Sequence, residues 1–190
     1  MCIRDRVDDG SSDPETVEIC ESLARECSNI SLHRFDDGGS GSASRPRNQG
    51  ARAATTDLVA FLDPDNEISP GGYDRLVETY EELNASGSSV QFVGGYQVKV
   101  DERSQVMGRH AKGVRVPEDI RAEFFHRGHF PLISTQAAVM DRTLFTERGL
   151  DFVEGAIGED TLFGWEVVLT ADRVAFTDRA HLLYLSLIHI

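Results

Sequence analysis

The chain has 190 residues, 40% hydrophobic and 27% charged, which is the balance of an ordinary globular domain long enough to bury a sizeable core. Its 32 acidic and 19 basic residues give a formal net charge of −13, a field that repels phosphate backbones and anionic lipid surfaces and argues against a nucleic-acid-binding module. No apolar run approaches the ~20 residues that span a bilayer, and Met1-Cys2-Ile3-Arg4-Asp5-Arg6 lacks the apolar stretch of a signal peptide.

The first element after the opening is a helix beginning past Asp13. Asp13 can cap it, Pro14 suits the first helical position, and Glu15 favours the positive end of the dipole. Val17, Cys20, Leu23, Ala24 and Cys27 then form one apolar stripe. Cys20 and Cys27 are separated along that helix by a rise of about 10 Å, too far for a disulfide. With no CxxC pair either, the cysteines fit a reducing compartment, which places the protein in the cytoplasm or at the inner face of the membrane. Ile30 to Phe35 reads as a short strand, Asp37 to Ser44 as a Gly/Ser-rich loop, and Arg47 to Ala54 as a small helix.

Leu58-Val59-Ala60-Phe61-Leu62 is a continuous apolar run ending in Asp63-Pro64-Asp65. Such a run predicts a strand covered on both faces, as in a parallel sheet. A helix follows over Tyr73 to Ala85 with Leu76, Val77, Tyr80 and Leu83 inward, then a strand over Val90 to Val100 interrupted at Gly94-Gly95. Residues 101–131 are polar and irregular, with a helix expected near Pro117 to Phe125. A strand over Ser134 to Met140, a short helix over Arg142 to Arg148, a helix over Thr161 to Ala171 and a strand over Val174 to Phe176 complete the reading. Strands alternating with helices make this an α/β fold with an expected mostly parallel central sheet.

Three acidic clusters lie at junctions where a strand or loop meets a helix. Asp8-Asp9-Gly10-Ser11-Ser12-Asp13 could accept hydrogen bonds from a base N–H or a ribose hydroxyl, or be no more than a helix-capping turn. Asp63-Pro64-Asp65 could hold a divalent cation that shares diphosphate oxygens, or be a solvated acidic turn. An EF-hand fails here, because Ile68 stands where the loop's sixth-position Gly is needed. Glu159-Asp160 could supply a general base, or be acid at a helix N-terminus. His110, His126 and His129 show no metal-ligand spacing.

In order, Asp8-Asp9-Gly10-Ser11-Ser12-Asp13, Arg47-Asn48-Gln49-Gly50, Phe61-Leu62-Asp63-Pro64-Asp65 and Glu159-Asp160 resemble the family 2 glycosyltransferases of the GT-A fold. The likeness runs from about Val7 to Tyr184. It implies that Asp8 and Asp9 line a nucleoside pocket, and that Arg47 and Asn48 belong to the Arg-Asn-x-Gly element beside the nucleotide. It implies also that Asp63 and Asp65 form the Asp-x-Asp motif binding Mn²⁺ or Mg²⁺ with the donor diphosphate. Asp160 would be the catalytic base with Glu159 beside it in the substrate site, and Trp165 either a core aromatic or part of the acceptor site. Asn66 departs from a third acid common in relatives.

The implied reaction is inverting transfer from a nucleoside-diphosphate sugar, UDP-linked by family habit, to a hydroxyl of a glycan or glycolipid acceptor. Two rival readings stay open. A nucleotidyltransferase would want a basic Gly-rich loop near the start, which is absent, and a non-catalytic nucleotide-sugar-binding domain would have no use for Asp160. Residues 1–6 and 185–190 resemble peptides translated from sequencing-adapter DNA. The resemblance implies a domain over 7–184 with its first strand-helix unit missing, since relatives open with an apolar strand and a helix before the Asp-Asp-Gly turn. Physically, a strand entering Asp8-Asp9 should be apolar, and Arg4-Asp5-Arg6 is not.

Overall fold

The computed structural model describes residues 4–100, 106–107, 116–122 and 134–185. Strands β1 (Arg4–Asp8) and β2 (Ile30–Arg34) pair in parallel on either side of helix α1 (Pro14–Glu26). Helix α2 (Ser44–Ala53) crosses β1 where Gly50 faces Val7. Then come β3 (Leu58–Val59), β4 (Asn66–Ile68), α3 (Gly72–Ala85), β5 (Phe92–Val100) and β6 (Val106–Met107). Strand β7 (Ala138–Asp141), helices α4 (Thr143–Thr146) and α5 (Glu159–Thr170), and β8 (Val174–Leu185) follow. The larger sheet runs β3-β7-β5-β8-β4, with β6 paired to β5.

Period-two alternation along the inner strands divides the core. Phe92, Met140 and Val174 face one side of the sheet, and their neighbours Val93, Val139 and Ala175 face the other. The first side is filled by α5 through Phe163, Val167 and Val168, by Ala51 of α2, and by Phe61, Leu150 and Phe152. The second is covered by α3 through Leu76, with Val77, Tyr80 and Leu83 packed behind it as the helical spacing required. Trp165 is half-buried and packs against the first cluster.

Three expectations need correction. The larger sheet is not mostly parallel: β5–β8 is its parallel pair among the described residues, while β3–β7, β5–β7, β5–β6 and β4–β8 are antiparallel. The apolar run that suggested parallel pairing is buried only at alternate positions, with Val59 and Phe61 inside and Leu62 47% exposed. Secondly, the strand entering Asp8-Asp9 does run through Arg4-Asp5-Arg6, because backbone pairing to β2 sustains it while Arg4 and Arg6 stay exposed. Thirdly, α1 has the expected capped start, Asp13 accepting from Thr16 N at 3.1 Å, but its stripe is only half-buried and Ile19 lies open.

Helix α5 starts at Glu159, two residues before the expected Thr161, and β8 extends to Leu185. The interruption in β5 is real, for its register against β8 shifts between Gly94 and Tyr96. Within the expected 117–125 helix, Asp119 accepts from Ala122 N at 2.9 Å and Ile120 joins the core; the remainder, with His110, His126 and His129, lies outside the described residues.

Four phenylalanines hold α5 to the loop before it. Phe152 and Phe163 stack at 3.9 Å and 4°, Phe61 meets Phe152 edge-on at 5.3 Å, and Phe145 stacks on Phe163 at 5.9 Å. Because Phe163 is fully buried in this stack, Phe163→Ala should lower unfolding free energy by about 3–5 kcal/mol. Denaturant unfolding checks this, and a cost below about 1 kcal/mol would show that the site collapses to fill the void.

Candidate active site

Helix α2 buries Ser44, Arg47, Asn48 and Ala51, at spacing i, i+3, i+4, i+7. That face is polar where it approaches the acidic clusters and apolar where it meets the core. Asn48 spends its amide locally, donating to Phe152 O at 2.9 Å and accepting from Phe152 N at 2.7 Å. Ser44 Oγ donates to Val153 O at 3.1 Å. Together they fasten the loop leading to α5, so Asn48 acts here through the backbone at Phe152.

Arg47 is 6% exposed and reaches three carboxylates from two separate parts of the chain. Its Nη2 donates to Asp63 Oδ2 at 2.6 Å and its Nε to Asp63 Oδ1 at 3.3 Å. Its Nη1 donates to Asp160 Oδ1 and, at 3.4 Å, to Glu159 Oε1. The guanidinium lies 5.1 Å from the centroid of the Phe152 ring, the ring that Asn48 fixes. Burial disfavours the Arg47 charge, but the Asp63 hydrogen bond and the three carboxylates outweigh it and push its pKa up. Burial pushes the Asp160 carboxyl above its ordinary value; Arg47 opposes this, and the nearby charges of Glu159 and Asp63 add to it. Both acids sit in the first turn of α5, where the dipole favours negative charge.

The turn after Phe61 closes through Asn66 N donating to Asp63 O at 3.2 Å. Asp63 is three-quarters buried at its side chain, whereas Asp65 is exposed. Asn66, at the head of β4, donates from Nδ2 to Asp65 Oδ1 at 3.1 Å and to Gln136 Oε1 at 2.9 Å. A carboxylate at position 66 could not donate these two bonds, so the amide of Asn66 suits the contacts of this turn. Gln136 was not singled out from sequence, since a lone amide before a strand carries no motif.

Asp8 and Asp9 end β1 on a shelf formed with the loop after β2. Gly10 and Gly39, at φ 96° and 92°, let the two loops touch; a Cβ on Gly10 would stand 2.6 Å from Gly39 N. Asp9 is fully engaged, accepting from Ser40 N at 2.8 Å, Ser40 Oγ at 2.6 Å and Arg45 Nε at 2.6 Å. Arg45 also pairs both oxygens of Asp37 and covers the Phe35 ring at 4.2 Å. Asp8 is 7% exposed; its Oδ1 accepts from Ser11 N at 2.9 Å, while Oδ2 has only the unaligned Arg34 Nε at 3.3 Å. Burial works against ionisation of Asp8 and Asp9, yet hydrogen bonds from Ser11, and from Ser40 and Arg45, hold both below the usual carboxylate value. The clusters at 47, 63 and 159–160 therefore converge directly on Arg47, while Asp9 joins α2 through Arg45.

Could the Asp63–Asp65 turn take a divalent cation? Arg47 Nη2 and Gln136 Nε2 both converge on Asp63 Oδ2, which leaves Oδ1 with one long contact, and Asp65 is open to solvent. Hard carboxylate oxygens of this kind suit Mn²⁺ or Mg²⁺. No group of three metal-ligating side chains assembles among the described residues. The turn thus fits a cation whose remaining ligands come from elsewhere.

Glycosyl transferase family 2 matches residues 6–148. The succinoglycan biosynthesis protein ExoW of Rhizobium meliloti (strain 1021) is 26% identical over 185 residues, 92% of this chain and 56% of that protein. The uncharacterized glycosyltransferase EpsJ of Bacillus subtilis (strain 168) is 27% identical over 181 residues, 94% of this chain and 51% of that protein. The chain thus spans about half the length of these curated relatives. S. aureus TarS 1–349 in complex with UDP-GlcNAc superposes with a TM-score of 0.74 at 20% identity, covering 94% of this chain and 48% of that one. The longer S. aureus TarS structure gives 0.75 at 20% identity, with 95% and 30% covered. At this identity the likeness establishes the fold, which is the GT-A arrangement.

The Arg45 clamp yields a pH prediction. Its hydrogen bond to Asp37 lowers that carboxyl from 3.8 to about 2. A depressed carboxyl stabilises the fold above its unfolded pKa, and that contribution is lost as pH falls from about 4 through about 2. Carboxyl-carbon NMR should find Asp37 titrating near 2, and moving toward 3.8 in Arg45→Met. An unchanged midpoint in the variant would remove Arg45 as the cause.

Proposed function

Since the chain belongs to glycosyl transferase family 2, we propose that it carries the donor-binding and catalytic centre of an inverting sugar transferase using a nucleoside-diphosphate sugar, UDP-linked. The observation that supports this most directly is the meeting of Asp63 and Asp160 on the buried guanidinium of Arg47. These acids come from motifs almost a hundred residues apart, and nothing in core packing alone requires them to meet. A neighbouring solved structure is a complex with UDP-GlcNAc, and a curated relative is named for succinoglycan biosynthesis. Both favour a sugar nucleotide donor and a glycan or glycolipid acceptor.

In this reading Asp160, half-exposed at the start of α5, accepts the proton of the acceptor hydroxyl as that oxygen attacks the anomeric carbon. The new C–O bond forms on the face opposite the breaking bond to the diphosphate, so the configuration inverts. Asp63 and Asp65 would hold Mn²⁺ or Mg²⁺, which when bound supplies Lewis-acid neutralisation of diphosphate charge. Arg47 keeps Asp160 aimed and holds Asp63 in place. Asp8 Oδ2, which takes no aligned hydrogen bond, is the acceptor offered toward the nucleoside, Asp9 shapes the same shelf through Ser40 and Arg45, and Glu159 lies beside the base within reach of substrate hydroxyls. No helix among the described residues is long and apolar enough to cross a membrane; we place the centre on the cytoplasmic side, where nucleotide sugars are available.

Asp160→Asn should retain UDP binding and reduce sugar transfer by about 10²-fold or more, the loss that follows removal of a general base. A parallel loss of UDP affinity would make Asp160 a binding residue instead. Wild-type chain that binds UDP but neither transfers sugar nor hydrolyses donor would be a non-catalytic binding domain.

Two carboxylates are too few for a tight cation cage. Calorimetry should therefore find Mn²⁺ binding weak alone and much stronger with UDP present. Equal Mn²⁺ affinity in both titrations contradicts a shared site.

A further inference from the structure

The side chain of Gln136 lies just before β7 and is 8% exposed. Among the described residues its side-chain hydrogen bonds go to the Asp63–Asn66 turn, more than sixty residues earlier. Oε1 accepts from Asp63 N at 3.0 Å and from Asn66 Nδ2 at 2.9 Å, and Nε2 donates to Asp63 Oδ2 at 2.7 Å. The backbone at Gln136 is fixed from the other side, with Tyr73 Oη 3.1 Å from its carbonyl and 2.6 Å from Phe61 O. One amide thus reads both the amide N–H and the carboxylate of Asp63, and so fixes the backbone and the χ angles of that residue together.

We infer that Gln136 is a positioning residue for the donor diphosphate site, acting through Asp63. By engaging Oδ2 together with Arg47, it leaves Oδ1 with only the long 3.3 Å contact to Arg47 Nε, the Asp63 oxygen least committed to the protein. By holding Asn66, it also keeps the amide that bonds Asp65 at the head of β4. Only a carboxamide can do this: Oε1 must accept twice while Nε2 donates to a carboxylate. A Glu would set one carboxylate against another, and a Met of similar length would leave Asp63 N and Oδ2 without these partners.

This inference rests on the proposed role of Asp63 and Asp65, and the test separates the two. UDP binding is measured by calorimetry with and without Mn²⁺ in wild type, Gln136→Glu and Gln136→Met, with thermal unfolding of each. Wild type should bind UDP more tightly with Mn²⁺; if it does not, the proposed cation site fails whatever Gln136 does. Given that gain, both variants should lose at least about tenfold in Mn²⁺-dependent UDP affinity, while their Mn²⁺-free UDP affinity changes less than about twofold. Loss in both conditions equally, or in neither, overturns the positioning role. Should Gln136→Glu unfold, the comparison is read on Gln136→Met, which leaves the Asp63 carboxylate to Arg47. A loss of UDP affinity in that variant that does not depend on Mn²⁺ overturns the positioning role.

Discussion

A guanidinium that is 6% exposed must find carboxylate partners or destabilise the fold, and this need organises the whole acidic end of the molecule. Arg47 can be buried only because Asp63, Glu159 and Asp160 arrive around it from a turn and a helix start. Those arrivals are themselves arranged. Asn48 and Ser44 hold the loop that carries Phe152 and delivers α5, while Gln136 and Tyr73 hold the turn that carries Asp63. The carboxylates in turn repel one another and would separate without the arginine. Cation and anions are each tolerable in this position only because of the other, so the site is a mutual constraint rather than a set of independent residues.

The same arrangement explains how a chain of net charge −13 can be read as taking an anionic donor. Its acids are not spread evenly over this end. Asp63 has one oxygen occupied by Arg47 and Gln136, Asp9 is saturated by Ser40 and Arg45, and Asp37 is paired to the same arginine. Local pairing thus reduces the field that a diphosphate would meet, and Asp65 at the exposed tip of the turn stays available to a cation.

Much of this was legible in the sequence where a residue's role follows from its type and neighbours. Asp13-Pro14 capped a helix, Leu76 to Leu83 pointed inward, and the order of acidic motifs carried the family likeness. Roles that depend on distant contacts were not. Asn48 matches the Arg-Asn-x-Gly element of the resemblance, but its pairing with the Phe152 backbone, over a hundred residues away, could not be read from that motif. Gln136 sits in no recognisable motif, because its meaning appears only when β7 is placed beside the Asp63 turn. The sheet direction was misread because Leu58 to Leu62 is uniformly apolar in composition but alternates in burial, and composition cannot tell covered faces from open ones.

The central claim, that Arg47 makes the convergence of the carboxylates possible, is tested most directly by a double-mutant cycle on unfolding free energy with Arg47→Met and Asp160→Asn. Removing the arginine alone should cost about 3–5 kcal/mol, since it leaves three partly buried carboxylates uncompensated. With Asp160 already neutralised the same substitution should cost measurably less, giving a coupling energy above about 0.5 kcal/mol. A small cost for Arg47→Met, or strict additivity of the two changes, would show that the carboxylates are held together by something other than the arginine.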